Sequence, residues 1–377
     1  MINKLKKYKK IVIVIDSPFI SMMAAMLMDT ILNDISNIEI LLEVKKGIDD
    51  ILDYIPIANA IIEGEKNILP KKIIVPSPYF ISSQQYSKVK NFLVHKRFVQ
   101  EVKRQYKHDT SVLYIGPPTS SIMRIIDDEN KIMLDHGVGD FISRLNNSKD
   151  KIRKYNRAFK VVVGRLLGAP DYLLNANYKY GVSMCKLKDD WYYHLDYQKY
   201  LPSKSIVNIM QPLINLLKNK TDKVTLVLPV SPCHASTGFG SNTKVFDDLN
   251  LELVKRNCNK DELILIKYHP TFFYNKDNNS DGFIKLLINA GYVVYDIDNF
   301  ISTSIKGMIP GEAIVKILGV SKVLAEQSAL MFNLAHNNNI SLVADPELFD
   351  KPLNRERVVF GYFEKINPFL NGQISVI

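Results

Sequence analysis

The chain has 377 residues, 46% of them hydrophobic, which excludes a disordered chain and exceeds one ordinary core. Its 49 Lys and Arg against 39 Asp and Glu leave a formal charge of +10, a balance that suits acidic partners without choosing among nucleotide, anionic glycan, lipid or nucleic acid. Cys185, Cys233 and Cys258 show no CxxC spacing and no framework, which predicts reduced thiols in a cytosolic setting.

The N-terminal MINKLKKYKK is basic and IVIVI follows it. Asp16, Ser17 and Pro18 cut that apolar run short of signal-peptide form, so it reads as a buried first strand. SMMAAMLMDTIL comes nearest to a spanning helix but stops well below the roughly 20 apolar residues one needs. The expectation is a cytoplasmic protein, soluble or peripheral on the inner face of the membrane.

Short β-branched runs then alternate with helical patterns. KIVIVID precedes FISMMAAMLMDTILNDI, NIEILLEV precedes GIDDILDYIPIANAII, and KKIIVPSP precedes a basic helix. SVLYIG leads into a polar loop, and KIMLDHG closes the series. Continuous apolar strands separated by helices predict a parallel sheet covered on both faces. Along the basic helix Lys88, Lys90, Lys96, Arg97, Lys103, Arg104 and Lys107 interleave with Phe92, Leu93, Phe98 and Val102. Two readings stand for it: a solvated helix face, or a surface for an anionic ligand or lipid.

Residues 142–200 read as irregular, rich in tyrosine and lysine and holding the single tryptophan, Trp191. They are taken as the link that ends a first domain, residues 1–200. A second α/β series fills residues 201–377. IVNIMQPLINLLKNK is helical, and KVTLVLPVSP is a strand that enters a loop with Ser231, His234, Ser236, Thr237, Gly238 and Gly240. After it come VFDDLNLELVKRN, ELILIKYHP, FIKLLINAG, YVVYDID, PGEAIVKILG, KVLAEQ, SALMFNLAHNN and ISLVAD, alternating helix and strand. The simplest architecture is two Rossmann-like α/β domains facing across a cleft, with ligands at the carboxyl ends of the strands.

Four of those ends carry unusual polar residues. In KIMLDHGVGDF, Asp135 closes a strand ahead of His136 and Gly137. It reads as an Asp-containing turn or as a carboxylate delivered to a ligand. In LILIKYHP, His269 ends an apolar run and Pro270 stops its continuation. The imidazole is either satisfied by backbone or offers a hydrogen bond or proton to a phosphate. In MIPGEAIVKILG, Glu312 lies in a helix's first turn, where it either complements the dipole or accepts from a ribose diol. In KVLAEQSALMF, Ser328 is either an N-cap or part of a phosphate site at a helix start.

Taken in this order, the segments resemble the bacterial sialyltransferases of the GT-B fold, including the lipooligosaccharide sialyltransferases and the capsular α-2,8-polysialyltransferases. That family carries a D/E-D/E-G motif, an HP motif and a Ser-Ser/Thr pair. Here Asp135-His136-Gly137, His269-Pro270 and Ser328 followed by Ala329 stand at those places. IVIVIDSPFISMMAAML is similar to the family's first strand, Ser/Thr-Pro loop and helix, and IPGEAIVKIL to its Pro-x-Glu helix. The likeness runs from the first strand to about residue 336, and its weight lies in order rather than in any one motif. His136 replaces the second acid and Ala329 the second hydroxyl residue.

The resemblance implies an inverting, metal-independent transfer from CMP-sialic acid to a glycan hydroxyl, with no cofactor. Asp135 is then the general base, and His269 stabilises and protonates the departing CMP phosphate. Ser328, with backbone N–H groups and Gln327, holds that phosphate, and Glu312 the ribose. Ser231 and Pro270 border the donor, and His136 and Gly137 belong to the acceptor-side loop. The expected partners are the CMP donor and a glycan acceptor, itself anionic where sialylated; the alternatives for the membrane are peripheral contact with an anionic surface or none, and no nucleic acid is expected.

Three alternatives remain at this level. Asp296-Ile297-Asp298 has the letters of a metal-binding Asp-x-Asp, though it reads as a surface acidic turn. CMP-Kdo transferases and CDP-alditol phosphotransferases also use HP and serine loops. A non-enzymatic protein binding anionic ligands or membrane through the basic helix is the third.

Overall fold

Parallel strands buried on both faces need apolar residues at every position, not at alternate ones. The first strand, β1 (Lys10–Ile15), meets this with Ile11 to Ile15 all buried. Each such side chain stabilises the fold by about 1.5–3 kcal/mol. The computed structural model describes residues 5, 7–30, 32, 35, 37–45, 53–63, 68–75, 88–106, 109–126, 130–135, 178–187, 190–218, 220, 223–230, 243–274, 281–302, 305–326, 328–345, 347–350 and 374–376. His136, Gly137, Ser231 and Gln327 lie outside these residues.

The chain divides into two compact units, residues 1–183 with 189–195, and residues 184–188 with 196–377. In the first, β1 is joined by β2 (Ile38–Lys45), β3 (Lys71–Val75), β4 (Val112–Gly116), β5 (Lys131–Leu134), β6 (Tyr180–Ser183) and β7 (Tyr192–His194). They form one parallel sheet in the order β3-β2-β1-β4-β5-β6-β7. In the second, β8 (Val224–Leu228), β9 (Leu263–Ile266), β10 (Val293–Asp296), β11 (Lys322–Ala325), β12 (Ser341–Ala344) and β13 (Ile374–Val376) pair as β10-β9-β8-β11-β12-β13, also parallel. Each sheet runs third-second-first-fourth-fifth-sixth in its own strand count, the doubly wound Rossmann order. Two Rossmann-like units in tandem are the domain plan of the GT-B fold. Within each, the order reverses beside the first strand, between β1 and β4 and between β8 and β11.

Helices cover these sheets. In the first unit they are α1 (Pro18–Thr30), α2 (Ile55–Ile62), α3 (Lys88–Gln105) and α4 (Ser121–Ile125). In the second they are α5 (Lys204–Leu217), α6 (Thr243–Asn257), α7 (Asp281–Asn289), α8 (Gly311–Leu318), α9 (Ala329–Leu334) and α10 (Glu347–Asp350). Pro18 opens α1, where its missing N–H costs nothing, and Ser17 Oγ accepts from Ile20 N. Val12 and Val14 pack with Val99 and Val102 of α3 and Ile122 of α4. In the second unit Val227, Ile264 and Ile266 meet Phe246 of α6 and Phe283 of α7. Gly319 ends α8 at φ 62, a left-handed cap that glycine adopts without steric cost.

Four expectations change. Residues 142–200 are not irregular throughout, because β6 and β7 extend the first sheet; at four and three residues they are too short to show periodicity. The polar loop after β4 contains α4, which is held by a buried acid described below. The strand read in ELILIKYHP ends sooner: β9 stops at Ile266, three residues before His269. Asp296 and Asp298 are not a surface turn but are buried, because a 3₁₀ turn (Ile297–Phe300) carries the chain inward after β10. Along α3 the cations Lys96, Arg97, Lys103 and Arg104 are exposed while Val99 and Val102 face the core. Among the described residues no helix is long and apolar enough to cross a membrane.

Candidate active site

In the first unit, the helix start beside the strand-order reversal is already occupied by the protein's own charge. Glu43 of β2 is fully buried, and its carboxylate accepts from Ser120 Oγ (2.6 Å), Ser121 N (2.8 Å) and Ile122 N (3.1 Å). Ser120 Oγ in turn caps α4 by accepting from Met123 N. The free N–H groups of a helix start attract an anion, and here that anion is a side chain. Beside it, Thr119 Oγ1 donates to Asp16 Oδ2 just beyond β1. Gly116 ends β4 where a Cβ would lie 2.8 Å from Met123 Cγ and 3.1 Å from Val14 Cβ, so only glycine lets α4 fold back this closely.

Asp135 directly follows β5, the strand next to β4. Its backbone N–H donates to Val182 O, which continues the ladder toward β6, and its carboxylate Oδ2 accepts from Ser183 Oγ at 2.9 Å. Both side chains are buried, at 2% and 1% exposure. An acid at this depth has to be satisfied by donors, and Ser183 is one of them. The sequence reading did not single out Ser183.

In the second unit His269 and Ser328 follow the carboxyl ends of β9 and β11, and Glu312 lies in the first turn of a helix. His269 is exposed, three residues past β9, and Pro270 opens a 3₁₀ turn (Pro270–Tyr274) in which Phe272 N donates to His269 O. Tyr268 stacks on Phe272 with centroids 4.0 Å apart, fixing the turn. Ser328 is the N-cap of α9, its Oγ accepting from Leu330 N at 3.3 Å. Glu312 lies in the first turn of α8 and is buried, with Oε1 accepting from Asn333 Nδ2 of α9 at 2.8 Å. That bond ties the Glu312 helix to the Ser328 helix. Gly311 permits the approach, since a Cβ there would meet Leu330 Cδ2 at 2.9 Å. Tyr197 OH donates to Glu312 O from the other side.

Burial pushes the Glu312 carboxyl up, against the opposing effects of its Asn333 hydrogen bond and the Lys267 charge. Lys267 follows β9 and is itself buried, which lowers its ammonium pKa, while Asp298 and Glu312 act to raise it. Burial likewise pushes the Asp298 carboxyl up to about 6, with Lys267 opposing. These three residues form a buried ionisable group; of them only Lys267 escaped the sequence reading, since a lysine two positions before His269 carries no sign of burial. Asp296 and Asp298 serve the fold: Asp296 Oδ1 accepts from Asp298 N, and Asp298 Oδ1 accepts from Gly307 N at 2.6 Å. Among the described residues no group of three or more His, Cys, Asp or Glu is arranged to hold a metal ion.

Asp135 therefore belongs to the first unit, and His269, Pro270, Glu312 and Ser328 to the second. Asn250 is a further residue the sequence did not announce. From α6 its amide grips Val230, the last described residue after β8, accepting from Val230 N (3.0 Å) and donating to Val230 O (2.9 Å).

No family model and no curated protein matches the chain. Among solved structures it is similar to a sialyltransferase from Photobacterium damsela, at 10% identity and a TM-score of 0.46, over 98% of this chain and 81% of that one. The 2,6-sialyltransferase of Photobacterium sp. JT-ISH-224, solved with CMP and lactose, aligns at 11% identity and a TM-score of 0.46, over 97% and 78%. Arabidopsis thaliana UGT89C1, solved with quercetin, aligns at 11% identity and a TM-score of 0.47, over 97% and 85%.

Proposed function

We propose that the chain is a nucleotide-sugar-dependent glycosyltransferase, and within that class an inverting sialyltransferase that moves sialic acid from CMP-sialic acid to a glycan hydroxyl. Capsule or lipooligosaccharide, polysialic acid included, is the proposed context. The observation that carries this reading is the contrast between the two Rossmann-like units. In the first, Glu43 fills the helix start beside the strand-order reversal and repels a second anion. The nucleotide phosphate is therefore assigned to the second unit, where His269 and Ser328 follow strand ends and Glu312 opens α8.

In the proposed reaction Asp135 takes the proton of the acceptor hydroxyl as its oxygen attacks the anomeric carbon. The bond from that carbon to the phosphate oxygen breaks, and CMP leaves. His269 donates to the departing phosphate, and the helix start at Ser328, with Gln327, receives its charge. Glu312, whose Oε1 is held by Asn333, accepts from the ribose hydroxyls. Ser231 and Pro270 complete the donor side, and His136 and Gly137 the acceptor loop. No metal ion is assigned a part. The exposed cations of α3 are the proposed surface for an anionic acceptor or lipid.

The test is turnover of CMP-sialic acid, CMP-Kdo and CDP-glycerol with a panel of lactosyl and sialyl acceptors, products identified by mass spectrometry. Transfer from CMP-sialic acid, unchanged by EDTA, is expected. Preference for CMP-Kdo or CDP-glycerol moves the assignment to those donors. Absence of turnover with all three overturns it, and strict dependence on Mg²⁺ or Mn²⁺ overturns the metal-free step.

A further inference from the structure

Gly307 is held on three sides at once. Its N–H donates to Asp298 Oδ1 at 2.6 Å, and its carbonyl accepts from Lys267 Nζ at 3.3 Å. Its α-carbon faces the turn after His269, where a Cβ would lie 2.9 Å from the Phe273 ring and 3.0 Å from Pro270 Cα. Its φ of 72 is a left-handed conformation that suits glycine. Three residues on, Pro310 caps α8 and Glu312 follows. Lys267 Nζ also donates to Tyr268 O at 3.2 Å, the peptide that leads into His269. One ammonium group thus holds the carbonyl before His269 and the carbonyl before the Glu312 helix.

Two segments distant in sequence meet at this glycine. On one side is the His269–Pro270 turn, on the other the loop that starts α8. Lys267 and Asp298 are both buried, so neither is present to meet solvent. Burying ionisable groups is costly unless they are hydrogen-bonded, and here both bond to the backbone of Gly307.

We infer that Lys267 and Asp298 are positioning residues of the donor site, which clamp Gly307 and so hold His269 and Glu312 at a fixed separation. This rests on the reading of His269 and Glu312 as donor-binding groups. Neither clamp residue touches the nucleotide; each acts through the backbone it holds. A displacement on the order of 1 Å at such a site costs up to about a hundredfold in rate.

The experiment compares wild type with Lys267→Met, Asp298→Ala, Asp298→Asn and Gly307→Ala. CMP affinity is measured by titration calorimetry, donor KM and kcat by turnover, and local opening by amide hydrogen exchange. Asp298→Asn keeps an oxygen that accepts from Gly307 N–H, so it is the conservative variant. Expected are a loss of CMP affinity of about tenfold or more in Asp298→Ala and Lys267→Met, and recovery to within about threefold in Asp298→Asn. Faster exchange is expected in both Pro270–Tyr274 and Gly311–Leu318, with the first unit unchanged. Folded variants that bind CMP within about twofold of wild type overturn the inference. Where Lys267→Met does not fold, Asp298→Ala against Asp298→Asn decides. If wild type binds no cytidine nucleotide, the donor reading has failed and the clamp is judged on exchange alone. In that case unchanged exchange in either segment overturns it, and joint opening of both sustains it.

Discussion

Ser183 Oγ donates a 2.9 Å hydrogen bond to Asp135 Oδ2 and so joins the carboxyl ends of two adjacent parallel strands. The pair is 48 residues apart in the chain and almost wholly buried. A hydroxyl donating to a carboxylate favours its charged form and limits its rotation. For a proposed general base both effects matter: the group has to be ionised, and one oxygen has to face the acceptor.

Ser183→Ala removes that donor without changing the strand. The loss of a hydrogen bond to a charged group is about 1.5–3 kcal/mol, or about tenfold or more in kcat. The acid limb of the pH–rate profile also moves to higher pH, which a purely structural loss does not produce. Asp135→Asn abolishes transfer and leaves CMP affinity nearly intact. Calorimetry with CMP and a pH–rate series on both variants check this; near-normal turnover in Asp135→Asn removes the base assignment.

Glu43 provides a stability prediction independent of any activity. Glu43→Ala strands the N–H groups of Ser121 and Ile122 and the Ser120 hydroxyl in a dry site. We expect a loss of about 3 kcal/mol or more, seen as a lower urea midpoint at unchanged slope. Glu43→Gln keeps one acceptor oxygen and costs less. Equal stability of wild type and Glu43→Ala contradicts the account of α4 as a helix held by this acid.

Why some of this was readable and some not follows from the physics of each element. The runs IVIVI, EILLEV, VLYIG, LILI and KVLA declare themselves because strands buried on both faces are apolar at most positions. β6, β7 and β13 hold only three or four residues each, with a glycine, tyrosines or a serine among them, and lie at or toward a sheet edge, so they have neither run length nor pattern. The places of Asp135, His269, Glu312 and Ser328 on the fold were legible because each follows a recognisable strand or opens a recognisable helix. Their partners were not: Ser183, Asn333 and Lys267 are defined by distance in space, and nothing in their neighbours' spelling reveals it. Glu43 is the plainest case, an acid inside an apolar strand whose reason is a helix start 77 positions later. Asp296 and Asp298 show the reverse, a metal-like spelling whose side chains turn inward to backbone N–H groups.

Asp247 on α6 gives a pH prediction. It is half-buried, its Oδ2 lies 2.8 Å from where a Gly282 Cβ would be, and burial, with the adjacent Asp248 charge, pushes its carboxyl up to about 6. The folded state then binds a proton more tightly than the unfolded chain, so stability falls as pH rises from about 4 to about 6 and stays lower above that. Asp247→Asn removes this cost. The full shift corresponds to about 3 kcal/mol, and with half the side chain in water about 1 kcal/mol is expected. Urea unfolding at pH 7 finds the variant more stable than wild type, and at pH 4 the two coincide. A gain that is the same at both pH values contradicts the assignment to this charge.

Asn250 links stability to the proposed donor site. Its amide makes both hydrogen bonds of the Val230 peptide, a group that would otherwise have a buried N–H and C=O unmet at the end of β8. Asn250→Asp keeps the acceptor for Val230 N but sets a carboxylate oxygen against Val230 O, where an N–H had donated. Asn250→Leu loses both bonds. Leaving buried backbone groups unmet costs about 1–3 kcal/mol each, so both variants unfold at lower urea. Ser231, proposed to border the donor, is the next residue in the chain, and a freed Val230 no longer fixes where that segment starts. The expected signature is therefore double: lower stability, and a donor KM raised by about tenfold at conditions where the variant is fully folded. An Asn250→Leu protein that is destabilised yet keeps the wild-type donor KM confines this asparagine to a structural role and removes Ser231 from the donor side.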